Sequence, residues 1–158
     1  MIFVTLGSQK FQFNRLLKAL DEQVEEGKIT DDIFAQIGAS DYIPKNYKYK
    51  DFLSRDEFSE IMGSSDIVIT HGGTGAIIGA VKKGKKVIAV PRLAQYGEHV
   101  DDHQLQLIGQ FTDLNLICEC HDCDKLFEAV ETVKNTTYNE YQSNTQTIID
   151  SLKEFIEA

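Results

Sequence analysis

Residues 65–91 read SDIVITHGGTGAIIGAVKKGKKVIAVP. The aliphatic run Asp66–Thr70 has the length and composition of a buried strand, and Lys86–Val90 repeats it. Between them, Ala76–Lys83 spaces its apolar residues as a helix does. Strand, glycine corner, helix and strand make a βαβ unit, which commits the chain to a parallel sheet. The corner holds His71, Gly72, Gly73, Thr74 and Gly75. Amides exposed at the start of a helix, with its positive dipole end, suit a phosphate. The glycines remove side chains that would hold an anion away, and Thr74 adds a hydroxyl. His71, at the strand end, is placed to donate to an oxyanion or to move a proton. The same residues also suit a second reading, in which the glycines let the helix pack tightly and His71 is a satisfied polar residue.

Working outward, strand and helix signals alternate along the chain. Ile2–Leu6 is a strand, turned by Gly7, Ser8 and Gln9. Phe13, Leu16, Leu17, Leu20 and Val24 then recur at helical spacing until Gly27. Ile33–Ile37 and Tyr47–Phe52 read as strands two and three. Ser54-Arg55-Asp56-Glu57 fits a capping box opening a helix that ends near Gly63. Beyond Pro91, Asp101–Phe111 reads as a helix, Leu114–Cys118 as strand six, and Leu126, Val130 and Val133 as another helix. A last helix is expected over about 138–156, with Tyr141, Ile148, Leu152 and Phe155 near one face. The expected fold is α/β, a doubly wound, mostly parallel six-stranded Rossmann-like sheet, in one domain over 1–158.

With 42% hydrophobic and 26% charged residues, the composition is that of a soluble globular domain. The net charge of −9 excludes a general nucleic-acid binder. Lys82, Lys83, Lys85 and Lys86 form one basic group, which reads as a solvated helix end or as a contact for anionic lipid. MIFVTLGS lacks the basic and long apolar regions of a signal peptide, so a cytoplasmic protein is expected. Cys118, Cys120, His121 and Cys123 crowd into six residues. A structural zinc site draws its ligands from two separated turns, so free thiols and no metal are expected.

In such sheets ligands bind beyond the carboxyl ends of the strands, where strand order reverses. That rule selects two corners, Gly7–Gln9 and His71–Gly75. The first carries a single glycine, not the G-x-G-x-x-G of a dinucleotide site, and no G-x-x-x-x-G-K-[ST] run exists.

The stretch SDIVITHGGTGAIIGAVKKGKKVIAVPRL…VDDHQLQLI, with GSQ after the first strand, resembles the carboxy-terminal half of MurG-like family 28 nucleotide-sugar glycosyltransferases. The similarity runs from Ile2 to about Ile117. The length resembles the split-subunit type, in which this half of a GT-B enzyme is a separate chain. Bacterial exopolysaccharide proteins of the PssE/EpsF type and the soluble subunit of the dolichyl-diphosphate N-acetylglucosamine transferase are of that type. The resemblance implies Gly7, Ser8 and Gln9 near the pyrophosphate, Phe52 and Leu53 beside the uracil, and His71, Gly72, Gly73, Thr74 and Gly75 on the diphosphate. It implies Asp102, His103 and Gln104 at the sugar hydroxyls. Read without it, Phe52 is a core residue and DDHQ an ordinary helix start. Relatives carry a Glu on the ribose a few residues into the helix, and Gly79 stands at that position here.

The resemblance further implies a hexosyltransferase subunit with a UDP-sugar as donor substrate and no other cofactor. The lipid-diphosphate-linked saccharide acceptor and the catalytic base belong to the other half. A membrane-associated acceptor-binding partner is therefore expected, holding this chain at the inner face of the membrane in polysaccharide synthesis. The alternative is a non-catalytic enhancer of such a transferase. Catalytic residues stay unassigned, with Glu98, His99 and Asp101 as base candidates or plain loop residues. The sugar and any homo-oligomer are left open.

Overall fold

Six strands form one sheet in the order β3-β2-β1-β4-β5-β6, every neighbouring pair parallel. The computed structural model describes residues 1–6, 12–71, 74–91 and 103–139, with only the backbone of Thr74 and residues 103–107. In chain order these give β1 (Ile2–Thr5), α1 (Asn14–Glu25), β2 (Ile33–Gln36), β3 (Lys48–Lys50), α2 (Arg55–Ser64) and β4 (Ile67–His71). There follow α3 (Thr74–Lys82), β5 (Lys86–Val90), α4 (His103–Asp113), β6 (Cys118–Glu119), a 3-10 turn (Cys123–Lys125) and α5 (Leu126–Lys134).

The near-continuous aliphatic runs of β1, β4 and β5 follow from burial on both faces. Side chains alternate between the faces. Ile2, Val4, Leu6, Ile69, Ile88 and Val90 meet α1 and α5 in one core. Phe3, Val68, Val87 and Ala89 form the other with Met62 of α2, Ile77 and Ala80 of α3, and Ile108 and Phe111 of α4. Phe3 and Phe58 meet edge to face, centroids 5.3 Å apart.

Three helices end the same way. After α1, the Gly27 N–H bonds to Val24 O and the Lys28 N–H to Gln23 O, with Gly27 at φ 76°. This is a Schellman ending, in which a left-handed residue turns the chain and satisfies the last carbonyls. Gly84 does the same after α3, and Asn115 (φ 54°) after α4. Asn tolerates the left-handed region, and this explains a departure from the sequence reading. The helix expected to stop at Phe111 runs to Asp113, and Leu114-Asn115 turn the chain. Strand six therefore starts at Cys118 instead of ending there. Strand three is shorter than expected, so Phe52 lies beyond it. Tyr138 and Asn139 are not helical, and the rest of the expected last helix lies outside the described residues.

The connection from β2 to β3 is tied to α1 by polar side chains. Asn14 Oδ1 accepts from the Asp41 and Tyr42 amides (2.8 and 2.9 Å), and Ser40 Oγ from the Phe13 amide (2.8 Å). Asp21 is buried, and its carboxylate accepts from Tyr42 Oη (2.7 Å), the Lys45 and Asn46 amides (2.9 and 2.8 Å) and Asn46 Nδ2 (3.0 Å). No helix among the described residues is long and apolar enough to cross a membrane.

Candidate functional site

The strand order reverses between β1 and β4. Chain direction carries β1–β2–β3 to one side and β4–β5–β6 to the other, so the crevice at their carboxyl ends is where a ligand fits. Thr5 and Thr70 are register partners across that boundary, and His71 pairs with Val90 one strand further on. Both glycine corners thus begin at neighbouring strand ends. Residues 7–11, 72–73 and 92–102 lie outside the described residues, which takes in Gly7, Ser8, Gln9, Gly72, Gly73 and Asp102.

Burying polar groups costs free energy unless they are bonded, so a row of them at one place is informative. Gln36, Thr5, Thr70 and His71 are all buried, at the carboxyl ends of β2, β1 and β4. Thr5 Oγ1 donates to Gln36 Oε1 at 3.1 Å, and Thr70 Oγ1 lies 3.3 Å from His71 Nδ1. Thr70 and His71 extend the sheet's polar end up to the start of α3, four residues along the chain from Thr70.

The helix starts divide by charge. α2 opens with Asp56 and Glu57, and its capping box is formed: Ser54 Oγ accepts from the Glu57 amide and Glu57 Oε1 from the Ser54 amide, both 3.2 Å. The first turns of α1, α3 and α4 contain no acidic residue. These are the helices that follow β1, β4 and β5, around the switch point. For α1 and α3 this is a setting that favours an anion, whereas Asp101 and Asp102 directly precede α4 in the sequence.

Gly75 is exposed, and a Cβ added there meets nothing within 4 Å among the described residues. Among the described residues, then, no close neighbour requires glycine at 75. At Gly79, too, an added Cβ meets nothing within 4 Å among the described residues. Phe52 is 55% exposed, so it is not the core residue its composition suggested. Leu53 beside it packs against the core over α2 and α3. The backbone of His103 and Gln104 opens α4.

The cysteine cluster is separate from this crevice in chemistry. All three cysteines are free. Burial pushes the Cys120 thiol up to about 11, and burial likewise raises Cys118. Among the described residues no group of three or more His, Cys, Asp or Glu is arranged to hold a metal. Of the lysine group, Lys85 Nζ donates to Gly63 O and Lys86 Nζ to Lys134 O, at the amino ends of the strands, opposite the crevice.

One residue at the crevice side escaped the sequence reading. Arg15, in the first turn of α1, donates to Pro91 O and to Cys123 Sγ, each at 3.2 Å. Nothing local marks it, because both acceptors lie far along the chain.

An all-parallel sheet in this order, with helices on both faces, defines a Rossmann-like half-domain of the kind found in GT-B glycosyltransferases. Residues 1–158 match the glycosyltransferase family 28 C-terminal domain, and the chain belongs to that family. It is similar to the UDP-N-acetylglucosamine transferase subunit ALG13 of Saccharomyces cerevisiae, 31% identical over 117 residues, or 69% of this chain and 54% of that protein. The ALG13 subunit of Mus musculus is 25% identical over 115 residues, 68% of this chain and 10% of that one. The match thus spans about half of the yeast relative and a tenth of the mouse one. Among solved structures, ALG13 by NMR superimposes with a TM-score of 0.63 at 19% identity, covering 99% of this chain and 96% of that one. The Acinetobacter baumannii MurG crystal structure gives 0.57 at 15% identity, covering 96% and 49%. At these identities the structures speak for the fold.

Proposed function

We propose that this chain is the donor-binding subunit of a two-component UDP-sugar glycosyltransferase. The observation that carries the reading is that α1 and α3, which follow the two strands at the β1–β4 switch point, both open without an acidic residue in their first turn, in a family 28 domain. In this reading the diphosphate lies against the amides that open α3, with His71 and Thr74 as donors. Stabilising the departing diphosphate is then electrostatic, through preorganised amides and the helix dipole. Gly7, Ser8 and Gln9 line the other side of the pyrophosphate, Phe52 faces the uracil, and Asp102, His103 and Gln104 reach the sugar.

Transfer also needs a base and an acceptor site, and this reading gives both to a membrane-associated partner. The yeast and mouse relatives are each named as transferase subunits, which supports a shared active site. The acceptor is a lipid-diphosphate-linked saccharide, and the product a growing polysaccharide. The test is co-expression with a candidate acceptor-binding subunit, scoring sugar transfer for His71→Ala and Gln104→Ala. Loss of transfer in both is expected. Full activity in both removes the site assignment.

Gly79 favours a second reading, a non-catalytic enhancer of the partner. The position offers room for a carboxylate that this chain does not supply. An enhancer would leave UDP affinity with the partner alone, unchanged on mixing the two chains.

A further inference from the structure

β6 is only two residues long and pairs with Ile88 and Ala89 of β5. Val90 and Pro91 therefore project beyond the ladder on that side, at the crevice rim next to His71. Arg15 reaches the strand where this ladder stops. One guanidinium nitrogen donates to Pro91 O and another to Cys123 Sγ, while the group stands 5.4 Å from the centre of the Phe13 ring. The Cys123 backbone is anchored as well, since Gln23 Nε2 donates to its carbonyl at 2.6 Å and Gln23 Oε1 accepts from the Phe127 amide at 2.8 Å. A planar, forked cation suits two acceptors at once, whereas an ammonium is a point donor.

We propose that Arg15 is a positioning residue for the donor site. It clamps the overhanging end of β5 to the first turn of α1 and to the turn after β6, and so sets the crevice rim beside His71. The clamp's effect on ligand rests on the donor-binding reading above; the clamp itself does not. The rim matters because a binding site loses affinity when its wall shifts by a fraction of an ångström.

The test uses amide NMR of the full chain, with UDP as the probe. Arg15→Met removes the charge and the fork, and Arg15→Lys keeps the charge but loses the fork. Lys134→Met breaks the ion pair with Asp31 at the opposite end and serves as a control for general destabilisation. Both Arg15 variants are expected to move the His71 and Val90 amide signals without ligand. They should also weaken UDP about tenfold, the factor carried by one hydrogen bond to a charged group. Lys134→Met should bind UDP like the parent. Parental UDP affinity in both Arg15 variants overturns the proposal, as does retained affinity in Arg15→Lys alone, which would mean charge and not position. If the parent itself ignores UDP, the donor reading fails separately. The clamp then stands or falls on whether the His71 and Val90 signals move.

Discussion

Thr5 and Thr70 face each other across the β1–β4 boundary, register partners that are 1% and 0% exposed. Thr5 Oγ1 donates a hydrogen bond to Gln36 Oε1 on one side, and Thr70 contacts the His71 ring on the other. The polar row therefore crosses the strand reversal inside the protein, beneath the two corners. Thr70→Val keeps the shape and removes the hydroxyl beside His71 Nδ1. It should cost about 1 kcal/mol of stability, the usual worth of one buried hydrogen bond. Urea unfolding at constant m-value checks this.

Phe52 separates a ligand-facing role from a packing role. A core aromatic truncated to Ala loses about 3–5 kcal/mol. At 55% exposure Phe52→Ala should instead change stability by no more than about 0.5 kcal/mol. If its ring covers the uracil, UDP affinity should fall by about 1–3 kcal/mol, the range for a base stacked on an aromatic. Thermal melts and UDP titration of the same variant read both quantities.

Asp21 gives the fold an acid-sensitive link between α1 and the β2–β3 connection. Burial pushes its carboxyl up, but the bonds from Lys45, Tyr42 and Asn46 together hold it below the ordinary carboxylate value. A depressed folded pKa means the stabilisation is fully present above the unfolded value, about 3.9. It is lost as pH falls through the folded value. Asp21→Asn should destabilise the chain by about 2 kcal/mol at neutral pH, as a lost set of charged hydrogen bonds does. Urea midpoints of parent and variant should converge on acidification, most of it below pH 4.

Gly79 is a helix-interior glycine whose missing side chain would meet nothing within 4 Å among the described residues. Gly79→Ala should therefore stabilise the isolated chain by about 0.5–1 kcal/mol. A differential melt decides it. A fall in stability would mean that something crowds the position after all.

Much of the fold is readable from local signals. The aliphatic runs of β1, β4 and β5, the α1 periodicity and the Ser54–Glu57 capping box each depend on neighbours a few residues away. The doubly wound parallel sheet follows from the βαβ pattern, whereas the strand order comes from the structure. What was hidden depends on distance or on unusual residues. Asn115 takes the left-handed role that glycine fills after α1 and α3, so the α4 end and β6 shifted along the chain. Phe52 looks like core because hydrophobicity carries no information about the sheet edge where β3 stops. Arg15 depends on Pro91 and Cys123, 76 and 108 residues away. Gly79 could be read as a missing carboxylate, while the open space around it needed the packed helix.

The central claim is that this chain by itself carries the donor half of a UDP-sugar site. Titration of the isolated chain with UDP, followed by amide NMR or calorimetry, tests it most directly. The account predicts saturable binding, with the signals of Thr70, His71, Gly75 and Phe52 moving and those of Lys86 and Lys134 at the opposite end still. No response at millimolar UDP, or a response confined to the lysine end, would contradict it.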